Sequence, residues 1–167
     1  MPAGLAYQFK NTCSENYLEA IIIGEEVPED FEPITEMKYG TYLESQPSAG
    51  MHWAHIAHGF LRGAKWYNPV GFIVCSIDAF DVAQPHMHGP GCEEIWLQLK
   101  GTSLLIFGKR LFYQPPGTAF LIPPNFCVPH ASINHTDQQM QWLYLGNRHD
   151  DRDTRYMKYH IKGWAWE

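Results

Sequence analysis

The sequence predicts an all-β protein, a barrel or sandwich of antiparallel strands that follows a short, partly helical N-terminal leader. Apolar and β-branched runs of strand length recur between Gly and Pro residues after position 70. No segment after residue 60 shows an apolar period of 3.6, which argues against βαβ units. The composition, with 14 Gly, 12 Pro and only 18% charged residues, also favours short strands and tight turns. The predicted strands cover 71–77, 94–99, 103–107, 110–113, 119–122 and 140–145.

The chain divides into three segments. Residues 1–50 form an N-terminal extension, residues 51–146 the barrel with its core motifs in 70–145, and residues 147–167 a C-terminal tail. Ser14 can cap a helix that runs to Ile22, with Gly24 as its stop. Further strands are expected in 35–43 and 51–60. In the tail, Trp164 and Trp166 are expected to pack on the barrel exterior or on a second subunit.

Charge and composition exclude several classes of partner. A net charge of −6 provides no attraction to nucleic acid or anionic lipid. The N-terminus lacks the basic and apolar regions of a secretory signal, so a soluble cytoplasmic protein is expected. The four cysteines are far apart and form no C-x-x-C pair, and we expect them to be reduced and mostly buried.

The segment 84–96 carries the strongest chemical signal. His86 and His88 stand two residues apart, so on a strand both imidazoles point to the same side. The Gly-Pro-Gly turn after them reverses the chain and brings a carboxylate, Glu93 or Glu94, onto the adjacent strand. His130 is the best placed third imidazole. Such a set of nitrogen and oxygen donors suits one divalent ion, Mn, Fe, Ni, Co or Zn.

These residues resemble the two motifs of the cupin superfamily, over roughly residues 70–145. The matching positions, in order, are His86-x-His88, a glutamate, Gly101, Pro116-Gly117 and His130-x3-Asn134. The resemblance implies a jelly-roll barrel of the germin-like type with one metal held by three histidines and a glutamate. Two spacings depart from the family pattern: the glycine that precedes the first histidine is absent, and the second motif is longer by a residue or two before His130.

The resemblance leaves two candidates for the ligand glutamate. Glu93 keeps the family spacing from His88, whereas Glu94 keeps the family spacing to Gly101 and needs one extra residue in the turn. Because turns absorb insertions more easily than strands, Glu94 is favoured, and Glu93 is then expected to face outward.

Three imidazoles and a carboxylate leave about two positions of an octahedral ion open for a ligand or water. Tyr113, Tyr144 and the unligated Glu93 are candidate catalytic acids or bases by residue type. Aromatic and amide side chains on the predicted strands and loops suit the walls of a pocket for a small polar substrate. The expected pocket residues are Trp96, Gln98, Phe112, Phe126 and Gln141.

A second group, His52, His55 and His58, recurs every three residues, which is typical of a helix face rather than a strand. We do not expect it to form the metal site.

The sequence therefore predicts a metal-dependent enzyme that acts on a small polar metabolite such as a sugar, sugar acid or other carboxylate. An isomerase or lyase is favoured. An Fe(II)-dependent dioxygenase and a non-catalytic protein that binds a metal or small ligand are the alternatives. Homodimers are the commonest soluble oligomers, and a homodimer is expected.

Overall fold

The computed structural model describes residues 6–24, 27, 29–32, 35–37, 39–42, 46–48, 53–59, 69–89, 91–124 and 126–148. Within them the named elements are all β-strands, and no α-helix is present. The strands are β1 (Gln46–Ser48), β2 (Ile56–Gly59), β3 (Pro69–Ile77), β4 (Cys92–Lys100), β5 (Ser103–Phe107), β6 (Arg110–Gln114), β7 (Ala119–Ile122), β8 (His130–Asn134) and β9 (Met140–Arg148).

The strands form two antiparallel sheets. The larger has the order β1-β2-β3-β9-β4-β7, and the smaller has the order β6-β5-β8. Strand β9 lies in the middle of the larger sheet and pairs with both β3 and β4, so Tyr144 stands opposite Ile73 on one side and Trp96 on the other. The predicted all-β architecture with antiparallel strands is confirmed.

The core lies between the two sheets. Side chains alternate across each strand, so every second residue points inward. Trp96 and Trp142 occupy the centre with their rings 5.3 Å apart, and each large aromatic removes roughly 150–250 Å² of surface from water. Both sheets contribute, which holds them face to face. The buried core residues are Cys75, Ile77, Ala83, Trp96, Leu105, Ile122, Met140 and Trp142.

Asn134, at the end of β8, ties three chain segments together at the end of the barrel away from His130. Its buried side-chain amide donates to the carbonyls of Ile77, Asp78 and Gln138, at 3.1, 2.8 and 2.7 Å. Its carbonyl oxygen accepts from the backbone and hydroxyl of Thr136. The asparagine of the second motif is therefore a structural clamp.

The predicted helix from Ser14 to Ile22 is wrong, because residues 6–24 are irregular and contain no helical turn. Tyr17 is 97% exposed, and Ile21 and Ile22 also face solvent. A helix this short is marginal in water unless a packed face supports it, and this segment buries none. The strand expected in 35–43 is also not formed in its described residues, whereas β2 falls within the stretch predicted at 51–60.

The two described histidines of the cluster, His55 and His58, lie in a strand region and not on a helix. His55 immediately precedes β2 and packs against Trp142 with ring centroids 5.1 Å apart. His58 lies within β2 and packs against Tyr42 at 4.3 Å. Since a spacing of three places two residues on opposite faces of a strand, the two histidines diverge. His52 and the tail with Trp164 and Trp166 lie outside the described residues.

The four cysteines form no disulfide, as expected. Cys75 and Cys127 are buried, and burial raises the pKa of both thiols. Cys92 is partly buried, but Cys13 is exposed in the irregular leader, contrary to the expected burial. None of the described segments is a helix of the length and apolarity needed to cross a membrane.

Candidate metal centre

Four side chains converge at one end of the barrel. His86 and His88 come from the loop before β4, Glu94 from the first part of β4 and His130 from the first residue of β8. One ligand atom from each lies within 4.8 Å of those of the others. The backbones of His86 and His130 exchange two hydrogen bonds of 3.1 and 3.0 Å, which joins the loop to β8.

The shortest approaches involve His88. Its Nε2 lies 3.0 Å from Nε2 of His130 and 3.1 Å from Oε2 of Glu94. The ring of His86 packs 4.4 Å from that of His130, centroid to centroid. Two imidazole nitrogens and a carboxylate oxygen therefore point at a common position, as ligands of one ion do.

A hydrogen bond from Nδ1 to a backbone carbonyl holds two of the imidazole rings in place. Nδ1 of His86 lies 2.9 Å from the carbonyl of Gln84, and Nδ1 of His130 lies 3.0 Å from that of Val128. Because a carbonyl only accepts, each Nδ1 carries the proton and each Nε2 keeps a lone pair for a ligand. This arrangement is typical of histidines that bind metal.

Burial fixes the charges of the two inner ligands. It lowers the pKa of His130 to about 3, with a further contribution from His86, so the imidazole is neutral at physiological pH. Burial pushes the pKa of Glu94 upward, but the hydrogen bond and charge of His88 and the hydrogen bond of Trp96 outweigh it and leave that pKa below its ordinary value. An ionised carboxylate beside a neutral imidazole fits a divalent ion.

The structure brings Glu94, and not Glu93, to the histidines. Glu94 and Glu93 are adjacent on β4, so their side chains point to opposite faces of the sheet. Glu93 is buried all the same, on the face away from the ligand group. The geometry thus favours the carboxylate that keeps the spacing to Gly101.

Glu94 receives two further hydrogen bonds inside the barrel. Nε1 of Trp96 donates to Oε2 of Glu94 at 2.8 Å. The hydroxyl of Tyr144, on the neighbouring β9, is hydrogen-bonded to the same carboxylate. Burial, with Glu94 adding to it, raises the pKa of Tyr144, so the hydroxyl keeps its proton and donates.

The ring of Tyr144 can occupy its position because residue 146 is a glycine and has no Cβ. A Cβ on Gly146 would overlap the Tyr144 hydroxyl and would lie 2.8 Å from its Cζ. Gly146 is the residue directly opposite Glu94 in the sheet, so the phenol lies across this glycine toward the carboxylate. We did not expect a role for Gly146 from the sequence, although a glycine inside an apolar strand often marks such a close approach.

Phe126 is the predicted pocket residue that lies at the edge of the group. Its backbone N–H donates to the carbonyl of His88 at 2.7 Å, and its ring lies over Gly89. The side chain is 48% exposed, and the backbone has φ of 55°, a left-handed conformation that is uncommon for a bulky residue. Phe126 therefore presents a half-exposed apolar ring beside Gly89, the residue that follows His88.

Of the other predicted pocket residues, Trp96 lies beside the ligand group, with its ring 5.2 Å from that of His130, and the remaining three lie away from it. Trp96 is fully buried and supports Glu94 from beneath. Gln98 is buried and donates to the carbonyls of Lys100 and Gly101 in the turn after β4. Phe112 packs with Phe107 and Phe120 in an aromatic group. Gln141 lies on the outer side of β9, since it alternates with the inward Trp142, and it donates to the hydroxyl of Tyr42.

Two of the candidate catalytic residues are also separate from the ligand group. Tyr113 is 69% exposed on the outer face of β6, with its ring against His135. Glu93 lies on the opposite face of β4, as described above. Tyr144 is the candidate that the structure places at the site.

Comparison with known proteins gives matches in structure alone. No family model matches the chain, and no curated protein does. A predicted oxalate decarboxylase from Thermotoga maritima is 12% identical, with a TM-score of 0.56, and the match covers 66% of this chain and 98% of that protein. The polyketide cyclase RemF from Streptomyces resistomycificus is 14% identical with a TM-score of 0.55, over 77% of this chain and 96% of its own.

A sugar phosphate isomerase of the cupin superfamily from Silicibacter pomeroyi is 14% identical, with a TM-score of 0.53, over 64% of this chain and 73% of its own. Identities this low speak for the fold and not for the reaction. The two antiparallel sheets agree with these matches. The chain therefore has the fold of the cupin superfamily.

Proposed function

We propose that this protein is a metal-dependent enzyme that acts on a small polar metabolite, a sugar, sugar acid or other carboxylate, by isomerisation or elimination. The observation that carries the proposal is the convergence of His86, His88, Glu94 and His130 on one position at the barrel end. A divalent ion bound there supplies Lewis acidity to a carbonyl or hydroxyl oxygen of the substrate.

The burial of the ligands defines the side of access. His130 is fully buried and the side chain of Glu94 is only 5% exposed, whereas that of His88 retains 14% exposure. Trp96 and Trp142 fill the barrel below the ligands and exclude water from that side. A substrate therefore approaches past His86 and His88, where the ring of Phe126 offers an apolar surface for the flat face of a sugar or an alkyl segment.

The structural neighbours support the substrate class and leave the reaction open. The names of two of them describe an oxalate decarboxylase and a sugar phosphate isomerase, both of which imply small, oxygen-rich substrates. The third is named as a polyketide cyclase. One fold therefore accompanies different chemistries, and the reaction type rests on experiment.

Two alternatives remain as outcomes of the test. An iron ion in the same ligand set would favour an Fe(II)-dependent dioxygenase. The tryptophan-filled interior, which limits the depth of the site, is the observation that would favour a non-catalytic binding protein. The homodimer and the cytoplasmic location stay predictions, and light scattering of the purified protein checks the first.

The first experiment measures the metal content of protein purified without chelators or added metal. His88→Ala and Glu94→Gln are expected to lose an approximately stoichiometric metal. Glu93→Gln is the matched control, since it makes the same chemical change at the adjacent residue on the opposite face. Metal content that is low in the wild type, or equal in all three variants, would overturn the proposed centre.

The second experiment identifies the reaction with the native metal. Wild type and His88→Ala are incubated with panels of sugars, sugar phosphates and small keto acids or hydroxy acids, and conversion and oxygen uptake are measured together. Conversion without oxygen uptake, abolished in His88→Ala, supports the isomerase or lyase. Oxygen uptake identifies a dioxygenase. Two results together identify a binding protein. The metal-loaded protein converts none of the panel, and its Mn²⁺ form leaves the relaxation rate of the water protons unchanged.

A further inference from the structure

Tyr144 is joined to the ligand group through Glu94. Its side chain is half-buried and lies on the inner face of β9, opposite Trp96 in the register. The carboxylate of Glu94 is thus held from two strands: by the indole of Trp96 on its own strand and by the phenol of Tyr144 on the next.

The position of the Tyr144 ring depends on the absence of a side chain at residue 146. Any Cβ at position 146 would overlap the phenol hydroxyl and would also lie 3.1 Å from Cε1, so the ring and an alanine cannot both occupy their places. Glycine in the interior of a strand otherwise weakens it, because glycine has no side chain to pack. The glycine opposite Glu94 is therefore explained by the ring that crosses it.

A carboxylate that must keep one orientation to bind a metal needs hydrogen bonds from neighbouring groups. An unrestrained glutamate rotates about its terminal torsion, which is broad and roughly two-fold. Donors from two directions restrict that rotation before any ion arrives, and the ordering free energy is then not required when the ion binds.

We propose that Tyr144 is a positioning residue for the metal ligand Glu94, and that Gly146 is the residue that permits its position. The inference rests on the metal centre of the proposed function. Removal of the hydroxyl, or displacement of the ring, is expected to weaken metal binding roughly 10- to 100-fold, the usual effect when a hydrogen bond to a ligand is lost.

The test compares metal affinities of the full-length protein after removal of bound metal. Titrations with Mn²⁺ and Zn²⁺ are made on wild type, Tyr144→Phe, Gly146→Ala and the double variant. Tyr113→Phe is the matched control for the loss of an exposed phenol hydroxyl. Gly59→Ala is the control for a strand alanine, because its Cβ would meet Ile73 only at an ordinary 3.7 Å.

We expect both single variants to bind metal with lower affinity than wild type and neither control to be affected. The affinity of the double variant is expected to be no lower than that of the single variant with the lower affinity. Such non-additivity is the mark of two changes that act through one contact. The visible absorption of the Co²⁺ form is expected to shift in Tyr144→Phe, which a loss of general stability does not produce.

Three outcomes count against the inference, and they separate it from the proposed function. Wild type that binds metal tightly together with Tyr144→Phe and Gly146→Ala of unchanged affinity and Co²⁺ spectrum would refute the positioning role alone. Wild type with no affinity for these ions would refute the metal centre itself. Additive losses in the double variant would show that Gly146→Ala acts through the fold and not through Tyr144.

Discussion

Glu93 and Glu94 are adjacent in the chain and both are buried, yet their carboxylates lie on opposite faces of β4. Only Glu94 meets the histidines, with Oε2 at 3.1 Å from Nε2 of His88. The sheet thus separates two chemically identical groups, and a pair of variants can distinguish the metal centre from the general effect of a buried carboxylate.

Metal is expected to stabilise the protein only when Glu94 is present. At a free metal concentration of about 100 times the dissociation constant, binding adds about 2.7 kcal/mol to the free energy of unfolding, or about 5 to 10 °C in Tm for a chain of this size. Differential scanning fluorimetry with and without Mn²⁺ or Zn²⁺ checks this for Glu94→Gln and Glu93→Gln. An equal rise in both variants would contradict the assignment of Glu94.

The stability of the metal-free protein is expected to fall in mild acid because of His130. Its folded pKa of about 3 lies below the unfolded value near 6.5, so the unfolded chain binds the extra proton first. Above pH 6.5, His130 costs no stability. As the pH falls from there toward 3, the free energy of unfolding decreases by up to about 1.4 kcal/mol per pH unit.

Urea unfolding of chelator-treated protein between pH 7.5 and 5 measures this slope. His130→Gln is expected to flatten it, whereas His135→Gln, at an exposed position, keeps it. A slope that is identical in wild type and His130→Gln would show that other groups carry the acid sensitivity.

Trp96 and Trp142 form a natural pair for separating packing from hydrogen bonding. Both are buried and their rings are in contact, but Nε1 of Trp96 donates to Glu94, whereas Nε1 of Trp142 has no hydrogen-bond partner among the described residues. We expect Trp96→Phe to cost about 2 kcal/mol more than Trp142→Phe, since a bond to an ionised group contributes about that much.

Metal affinity should fall in Trp96→Phe and remain close to that of wild type in Trp142→Phe. Urea unfolding and metal titration of the two variants give both quantities. Equal losses in both measurements would indicate that the two indoles act only as core packing.

Asn134 is expected to be among the most sensitive polar residues of the fold. Asn134→Ala removes the donor to three carbonyls and the acceptor for Thr136, and it leaves several of those groups without a partner in a buried place. We expect a loss of about 3 kcal/mol in urea unfolding. Asn16→Ala, in the exposed leader, is the control and should change stability by less than about 0.5 kcal/mol.

The parts of the fold that could be predicted are those where local pattern and burial agree. The strand runs after residue 70 were predicted because each alternates or is continuously apolar and most of them end close to a Gly or Pro. His86 and His88 converge as their spacing predicted, although they lie in the loop before β4 and not within a strand. The preference for Glu94 likewise followed from counting toward Gly101, whose φ of 69° marks the turn that closes β4.

The errors arose where a spacing fits more than one structure or where packing decides. The interval of three in His55 and His58 is typical of a helix, but the neighbouring β3 pairs with this segment and turns the two rings apart. Trp96 was expected in a pocket because indoles suit substrates, whereas its depth in the barrel makes it a support for Glu94. Depth cannot be read from residue type, because it depends on which sheet lies opposite.

The central place of β9 also affects how the chain is made. Strands β3 and β4 are each paired with β9, which is synthesised long after both. Val74 therefore cannot pair with Leu143, nor Trp96 with Tyr144, until β9 has been synthesised. A ribosome-bound chain that has released β4 but not β9 carries two long strands with open edges, which are prone to pair with other chains. Folding is therefore non-local and slow by topology. Strand β9 also brings Tyr144 to Glu94, so the contact that holds this ligand forms in the same late step that closes the sheet.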